Sequence, residues 1–127
     1  NLNRPFFLEV KGVTLINEGI AAFPDAPTTR GLKHVQTLER AVDAGYLAYL
    51  LFVIQIPNVK KVTIDRDIFI ELAVEIGKAQ RKGVHVVAYD CKVEPDTLVL
   101  DQPVPFDLNQ KFVSDGLPSS IGKQSKK

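Results

Sequence analysis

Residues 46–54 read Tyr-Leu-Ala-Tyr-Leu-Leu-Phe-Val-Ile, and the nearly continuous apolar run extends to Ile56 before Pro57 interrupts it. A run of this length with so few polar positions is typical of a β-strand that is buried on both faces of a sheet. Strands of this kind occur in sheets whose faces are covered by helices. We therefore expect a strand over residues 46–56 at the centre of an α/β domain.

Helical patterns flank this strand on both sides. Before it, apolar residues recur at helical spacing over residues 32–44, and Gly45 is suited to end that helix. After it, a second helix is expected to begin at Asp65 or Asp67 and to run to Lys82. The central strand is therefore expected to lie between two helices in the chain.

Shorter extended segments complete the pattern. Residues 5–16 and 20–23 predict a hairpin around the turn Asn-Glu-Gly at 17–19, and residues 83–93 predict a strand that turns back into a short partner at 97–100. This order of strands and helices is that of an α/β domain, with a mixed central sheet flanked by helices.

Length and composition limit the classes of protein that this chain can belong to. A chain of 127 residues suits one domain, which we assign to residues 1–108, with a flexible C-terminal tail over residues 109–127. The net charge is only +1, so a surface for nucleic acid must be a local patch. The single cysteine, Cys91, excludes an internal disulfide and offers no zinc spacing. Since no run of 18 apolar residues exists, a cytoplasmic location is expected.

The first candidate for chemistry is the tripeptide Glu9-Val10-Lys11 in the predicted first strand. Residues two apart in a strand project from the same face, so the carboxylate and the ammonium are expected to lie together. In a metal-dependent nuclease, the carboxylate helps to hold Mg²⁺ and the lysine stands beside the attacking water and the phosphate. The motif is short, and an ion pair on an exposed strand is the alternative interpretation.

A longer and more distinctive segment is Phe-Pro-Asp-Ala-Pro-Thr-Thr-Arg-Gly-Leu-Lys-His at residues 23–34. Together with Glu-Val-Lys at 9–11, Val-Thr-Leu at 13–15, Phe-Val-Ile-Gln at 52–55 and Gly-Val-His-Val at 83–86, it resembles the sugar fermentation stimulation protein family in order and spacing. The resemblance extends from about Phe7 to Val104.

This resemblance implies a fold similar to restriction endonucleases and Holliday-junction resolvases, the PD-(D/E)XK superfamily. It also implies a DNA-binding protein linked to the regulation of sugar metabolism genes, notably those for maltose use, and an oligonucleotide-binding barrel ahead of this domain. The chain has no methionine and starts at Asn1, so we expect that barrel to be missing upstream. None of the eight residues before Glu9 is acidic, so the aspartate that completes the superfamily's metal site is expected upstream as well.

The resemblance also indicates which residues serve a metal-dependent reaction. Glu9 and Asp25 would hold Mg²⁺ or Mn²⁺, and Lys11, with Gln55 at the end of the central strand, would stand beside the attacking water. Asp25 has an alternative role in a turn of the proline-rich loop, and Gln55 has an alternative role as a hydrogen-bonded strand end.

Three further side chains, Arg30, Lys33 and His34, lie just before or within the first turn of the first predicted helix. Backbone N–H groups at a helix start favour an anion, and these side chains would add donors for a DNA phosphate. Three cationic positions at a helix start oppose the macrodipole, which is a sign of function, and an ordinary solvated helix start is the alternative interpretation.

The sequence therefore predicts a DNA-binding protein that contacts duplex phosphates, with a partner transcription regulator as a further candidate and no membrane interaction. A nuclease that uses Mg²⁺ or Mn²⁺ is the first alternative. A protein-interaction module that kept the fold and lost both activities is the second.

Overall fold

A computed structural model describes residues 5–112, which form seven strands and two helices. In chain order these are β1 (Phe6–Val13), β2 (Leu15–Asn17), β3 (Ile20–Phe23), α1 (Thr29–Asp43), β4 (Leu47–Ile54), β5 (Lys61–Ile64), α2 (Ile70–Lys82), β6 (His85–Glu94) and β7 (Thr97–Val104). The predicted alternation of strands and helices is confirmed, with β5 as an additional strand. The segment 5–16, predicted as one arm of a hairpin, is divided into β1 and β2, which lie in different sheets, and only β2 pairs with β3.

The larger sheet has the strand order β1-β4-β6-β7. Strand β4 is parallel to both of its neighbours, β1 and β6, whereas β7 runs antiparallel to β6. Every residue of β4 from Ala48 to Ile54, apart from Tyr49, is buried. The prediction of a central strand is therefore confirmed, but deep burial is limited to the face of Leu50, Phe52 and Ile54, since Leu47 and Tyr49 on the other face are partly exposed.

The hydrophobic core lies between this sheet and the helices. Alternate residues of β4 (Ala48, Leu50, Phe52 and Ile54) belong to one buried cluster, which also contains Val35 and Leu38 of α1 and Leu72 and Ile76 of α2. The two helices also pack against each other. The period of about 3.6 residues that predicted each helix thus corresponds to the stripe that enters this core.

The opposite face of the larger sheet is apolar and open among residues 5–112. Phe6, Leu8 and Val10 project from it and are 58%, 50% and 50% exposed, respectively. Phe6 packs edge-to-face against Tyr49 of β4 at a ring separation of 6.0 Å. This face is defined here as the open sheet face, and its groove is lined by Phe6, Leu8, Leu47, Tyr49, Leu51, Val87, Tyr89 and Leu100.

A smaller sheet has the order β2-β3-β5, with β2 antiparallel to β3 and β3 parallel to β5. The predicted turn at 17–19 is confirmed, since Glu18 and Gly19 take the positive φ angles of 53° and 82° that a two-residue hairpin turn requires. Strand β5, which begins at Lys61, was not predicted from the sequence. Four residues with apolar Val62 and Ile64 were too short a signal for a strand.

Both helices begin at residues other than those predicted. Helix α1 begins three residues earlier, at Thr29, because the Thr28 side chain accepts a hydrogen bond from the Gly31 N–H at 2.9 Å and caps the helix there. Helix α2 begins at Ile70 rather than at Asp65 or Asp67.

The reason for the later start of α2 is the turn that precedes it. The Asp65 carbonyl accepts hydrogen bonds from the N–H groups of Ile68 and Phe69, and its Oδ1 accepts one from Asp67 N–H at 3.1 Å. These bonds satisfy the backbone in a turn, so Asp65 acts as a turn residue instead of a helix cap.

The segment after β7 packs onto β5. Phe106 forms a parallel bridge with Val62, and the Thr63 hydroxyl donates to the Gln110 carbonyl at 3.2 Å. Gln110, which falls within the predicted tail of residues 109–127, is therefore in contact with the small sheet. Residues 113–127 lie outside the described part of the chain.

One ionisable side chain is buried where α1 packs against α2. Glu39 of α1 is 3% exposed, and its Oε2 has no hydrogen-bond partner among residues 5–112. Burial, followed by a hydrogen bond and charge repulsion from Glu75, raises the pKa of Glu39 to about 7, although Lys78 and Lys82 oppose the shift. The neutral, protonated form of Glu39 is therefore the form that this helix interface favours.

We expect this carboxyl to make the fold less stable as the pH rises. Because the pKa in the folded state, about 7, exceeds the ordinary value of 4.5, the folded state holds the proton over that interval. Stability should then fall from about pH 4.5 to about pH 7, by on the order of 1 to 3 kcal/mol. Glu39→Gln should remove most of this slope and raise the free energy of unfolding at about pH 8, measured by urea denaturation.

Glu71→Gln is the matched control for that experiment, since Glu71 is an exposed carboxylate in the first turn of α2. It should leave the pH slope in place. A Glu39→Gln variant with the slope of the parent protein would contradict the assignment.

We expect the open sheet face to bind a dye that is specific for apolar surfaces. Leu8→Ser should reduce the fluorescence of bound anilinonaphthalene sulfonate and change the free energy of unfolding by less than about 1 kcal/mol, because Leu8 is already half exposed. Leu50→Ser, on the buried side of the same sheet, should cost about 3 kcal/mol or more. Equal dye binding by the Leu8→Ser variant and the parent protein would place the dye elsewhere.

Candidate nucleic-acid interface

Strand β1 carries Glu9 and Lys11 on the face of the larger sheet that α1 covers. In the register with β4 they lie opposite Leu50 and Phe52, two residues of the buried cluster. Their side chains reach the rim of the sheet, where they are 31% and 17% exposed. The predicted projection of both groups from one face is present in the structure.

The helix contributes the third member of this cluster. His34 Nδ1 lies 2.6 Å from Lys11 Nζ and 3.1 Å from Glu9 Oε2, and Lys11 Nζ lies 3.4 Å from the same carboxylate oxygen. We call Glu9, Lys11 and His34 the strand–helix cluster. Its lysine stands between a carboxylate of β1 and a ring of α1, so it joins the two elements.

Two further cations lie beside this cluster on the first turns of α1. Arg30 and Lys33 are both exposed, and neither side chain forms an ion pair within residues 5–112. No acidic residue lies in the first turn of the helix. The free cations and the backbone N–H groups of the helix start therefore form a local positive surface on a nearly neutral chain.

Two of the sequence candidates, Asp25 and Gln55, form no hydrogen bond or ion pair with the cluster among residues 5–112. Asp25 is exposed in the loop that precedes α1. No residue within 5–112 connects its side chain to Glu9 by a hydrogen bond or an ion pair. Gln55 is exposed directly after β4 and lines a surface cavity of about 430 Å³ with Asp90 and Cys91.

The described residues do not make a complete metal site. Between residues 5 and 112 there is no group of three or more His, Cys, Asp or Glu side chains placed to hold one ion. Glu9 is already paired with Lys11 and His34. A lone carboxylate in contact with an ammonium group is a poor ligand set for Mg²⁺, which prefers several oxygen ligands.

The contact between Lys11 and His34 was not predicted from the sequence. The two residues are 23 positions apart, and both had been assigned roles without any link between them. The only signal was the helical period, which places His34 three residues after Gly31 and one before Val35, both buried. This position is at the edge of the buried stripe, where a side chain can reach β1.

No helix within the described residues is long and apolar enough to cross a membrane.

Comparison with protein families gives a match to the model described as "Sugar fermentation stimulation protein RE domain" over residues 1–97. A sugar fermentation stimulation protein homolog of Lacticaseibacillus casei (strain BL23) is 49% identical over 114 residues, which are 90% of this chain and 47% of that protein. A homolog of Alkaliphilus oremlandii (strain OhILAs) is 50% identical over 103 residues, covering 80% of this chain and 43% of the relative. The chain thus spans less than half the length of these relatives.

A solved structure agrees with the fold. The structure of Pyrococcus furiosus SfsA in complex with Ca²⁺ matches with a TM-score of 0.74 and 24% identity, over 81% of this chain and 45% of that one. This match confirms the predicted α/β fold with a mixed central sheet. With a family model that covers 97 residues and relatives at nearly half identity, the chain belongs to the sugar fermentation stimulation protein family.

Proposed function

We propose that this domain binds duplex DNA through the phosphate backbone, with the start of α1 as the contact surface. The observation that supports this most directly is the pair of exposed cations, Arg30 and Lys33, that have no ion-pair partner within residues 5–112. Cations that serve stability are normally placed at the end of a helix, whereas these oppose the macrodipole at its start. An anion bound there would remove the unfavourable interaction.

The arrangement suits a phosphate in particular. Backbone N–H groups of the first turn point out of the helix, and the Thr28 cap uses the one at Gly31. Arg30 and Lys33 supply charge on the first turns of α1, and His34 and Lys11 add donors. A site of a few cations contacts few phosphates, so the affinity should be modest and strongly dependent on salt, with little sequence readout.

The wider role that we propose follows the family name. The relatives are named for stimulation of sugar fermentation, which supports a part in sugar metabolism. We propose that this part is the regulation of genes of sugar metabolism, those for maltose use among them. Sequence preference would then come from elements beyond this surface or from a partner transcription regulator.

The first test measures binding of a fluorescently labelled duplex by anisotropy across a salt series. Arg30→Ala and Lys33→Ala should each weaken binding by about threefold to tenfold at low salt and reduce the slope of log K against log salt by about 0.9. The matched control is Arg81→Ala in the last turn of α2. That end of α2 lies beside the far end of α1, where Lys82 pairs with Asp43 at 2.9 Å, so the control should bind like the parent protein.

Absence of binding at low salt would contradict this proposal. It would favour the alternative of a protein-interaction module with the nuclease-like fold.

A metal-dependent nuclease is the second candidate function, and one observation favours it. The P. furiosus relative was solved in complex with Ca²⁺, and in this chain Glu9 and Lys11 project together at the sheet rim. Cleavage with Mg²⁺ or Mn²⁺ would need further carboxylate ligands besides Glu9, since the described residues provide no such group.

The nuclease candidate predicts that Ca²⁺ tightens duplex binding relative to EDTA and that Mn²⁺ supports cleavage of plasmid DNA. Glu9→Gln should abolish the Ca²⁺ effect and the cleavage, because the amide is a weaker metal ligand than the carboxylate. Asp25→Asn tests the other proposed ligand in the same assays. Binding that is indifferent to both Ca²⁺ and EDTA would leave phosphate binding in place and remove the nuclease.

A further inference from the structure

His34 presents one ring nitrogen to two different groups. Its Nδ1 lies 2.6 Å from the Lys11 ammonium and 3.1 Å from the Glu9 carboxylate oxygen. An imidazole nitrogen either carries a hydrogen and donates, or carries a lone pair and accepts. Nδ1 therefore cannot accept from Lys11 and donate to Glu9 at the same time.

The distances decide between the two. A lysine ammonium has three donors and no acceptor, so a contact of 2.6 Å with it requires a lone pair on Nδ1. Glu9 does not need the ring as a donor, because Lys11 Nζ lies 3.4 Å from the same carboxylate oxygen. The Lys11 ammonium thus donates to both His34 Nδ1 and Glu9 Oε2. These two acceptors lie 3.1 Å apart because they share that donor.

We infer that Lys11 holds the neutral His34 ring as the tautomer with its hydrogen on Nε2, which turns His34 into an outward-facing hydrogen-bond donor. Nε2 has no partner among residues 5–112, and the side chain is 27% exposed. Lys11 is then a positioning residue, which acts on a ligand through His34 as well as through its own charge.

The ligand of this donor rests on the proposed function. His34 follows Lys33 directly on α1, one turn after Arg30, so its Nε2–H would complete the phosphate site with a neutral donor. A neutral donor contributes a hydrogen bond and releases no counterion. Its loss should therefore weaken DNA binding without changing the salt dependence, in contrast to the loss of Arg30 or Lys33.

The tautomer can be measured without any DNA. Long-range ¹H–¹⁵N correlation spectra distinguish a ring nitrogen that carries hydrogen from one that does not, and the chain has only two histidines. His85, which stacks on Tyr49 of the open sheet face, is assigned by His85→Gln. At about pH 8 we expect the His34 signals of the Nε2–H form, and a shift towards a mixture of both forms in Lys11→Met.

Signals of the Nδ1–H form in the parent protein would overturn the inference, because the ring would then donate to Glu9. Unchanged signals in a folded Lys11→Met variant would show that Lys11 does not set the tautomer and would overturn it as well. The parent spectrum decides the first question even if Lys11→Met fails to fold.

A double-mutant cycle then tests the positioning role. His34→Ala should lower duplex affinity about fivefold in the parent protein, with an unchanged salt slope, and less than about twofold in the Lys11→Met background. Equal losses in both backgrounds, or a reduced salt slope in His34→Ala, would overturn it. If the parent protein binds no DNA, the proposed function fails, whereas the tautomer is still decided by the spectra.

Discussion

The backbone of β4 needs hydrogen-bond partners on both edges, and most of the structure can be understood from that requirement. Its residues from Leu50 to Ile54 are too buried for water to serve them. Parallel pairing with β1 on one side and β6 on the other meets the need. Parallel strands require long crossover connections, and the helices in those connections supply the apolar stripes that close one face of the sheet.

The candidate interface depends on the same pairing. Because β1 pairs with the buried part of β4, the positions of Glu9 and Lys11 along the sheet are fixed, opposite Leu50 and Phe52 and beside α1. The lysine then joins the strand to His34, and the helix carries Arg30 and Lys33 beside them. A chain with a net charge of only +1 obtains a positive surface this way, through placement rather than through excess charge.

The interface between α1 and α2 contains a buried carboxyl, Glu39, which destabilises the fold when it is ionised. Glu39 is buried between the helices with one carboxylate oxygen unsatisfied among the described residues, and burial, followed by the nearby Glu75, raises its pKa. Lys78, at 3.9 Å, offsets only part of the penalty because its ammonium is mostly exposed. Helix packing therefore tolerates this carboxyl best when it carries a proton.

Local patterns in the sequence determined the class of fold. Three features depend only on neighbours close in the chain and could be predicted from the sequence. They are the apolar run at 46–54, the helical period before and after it, and the turn at 18–19. The same holds for the shared face of Glu9 and Lys11, which strand periodicity dictates.

Only the tertiary structure decided that β5 is a strand, since it is stable through pairing with β3 and through its bridge to Phe106. It also brought Lys11 to His34 across 23 residues and left Gln55 in a different cavity. Such contacts follow from how strands and helices pack in three dimensions, and no spacing along the chain encodes the distance between a strand lysine and a helix histidine.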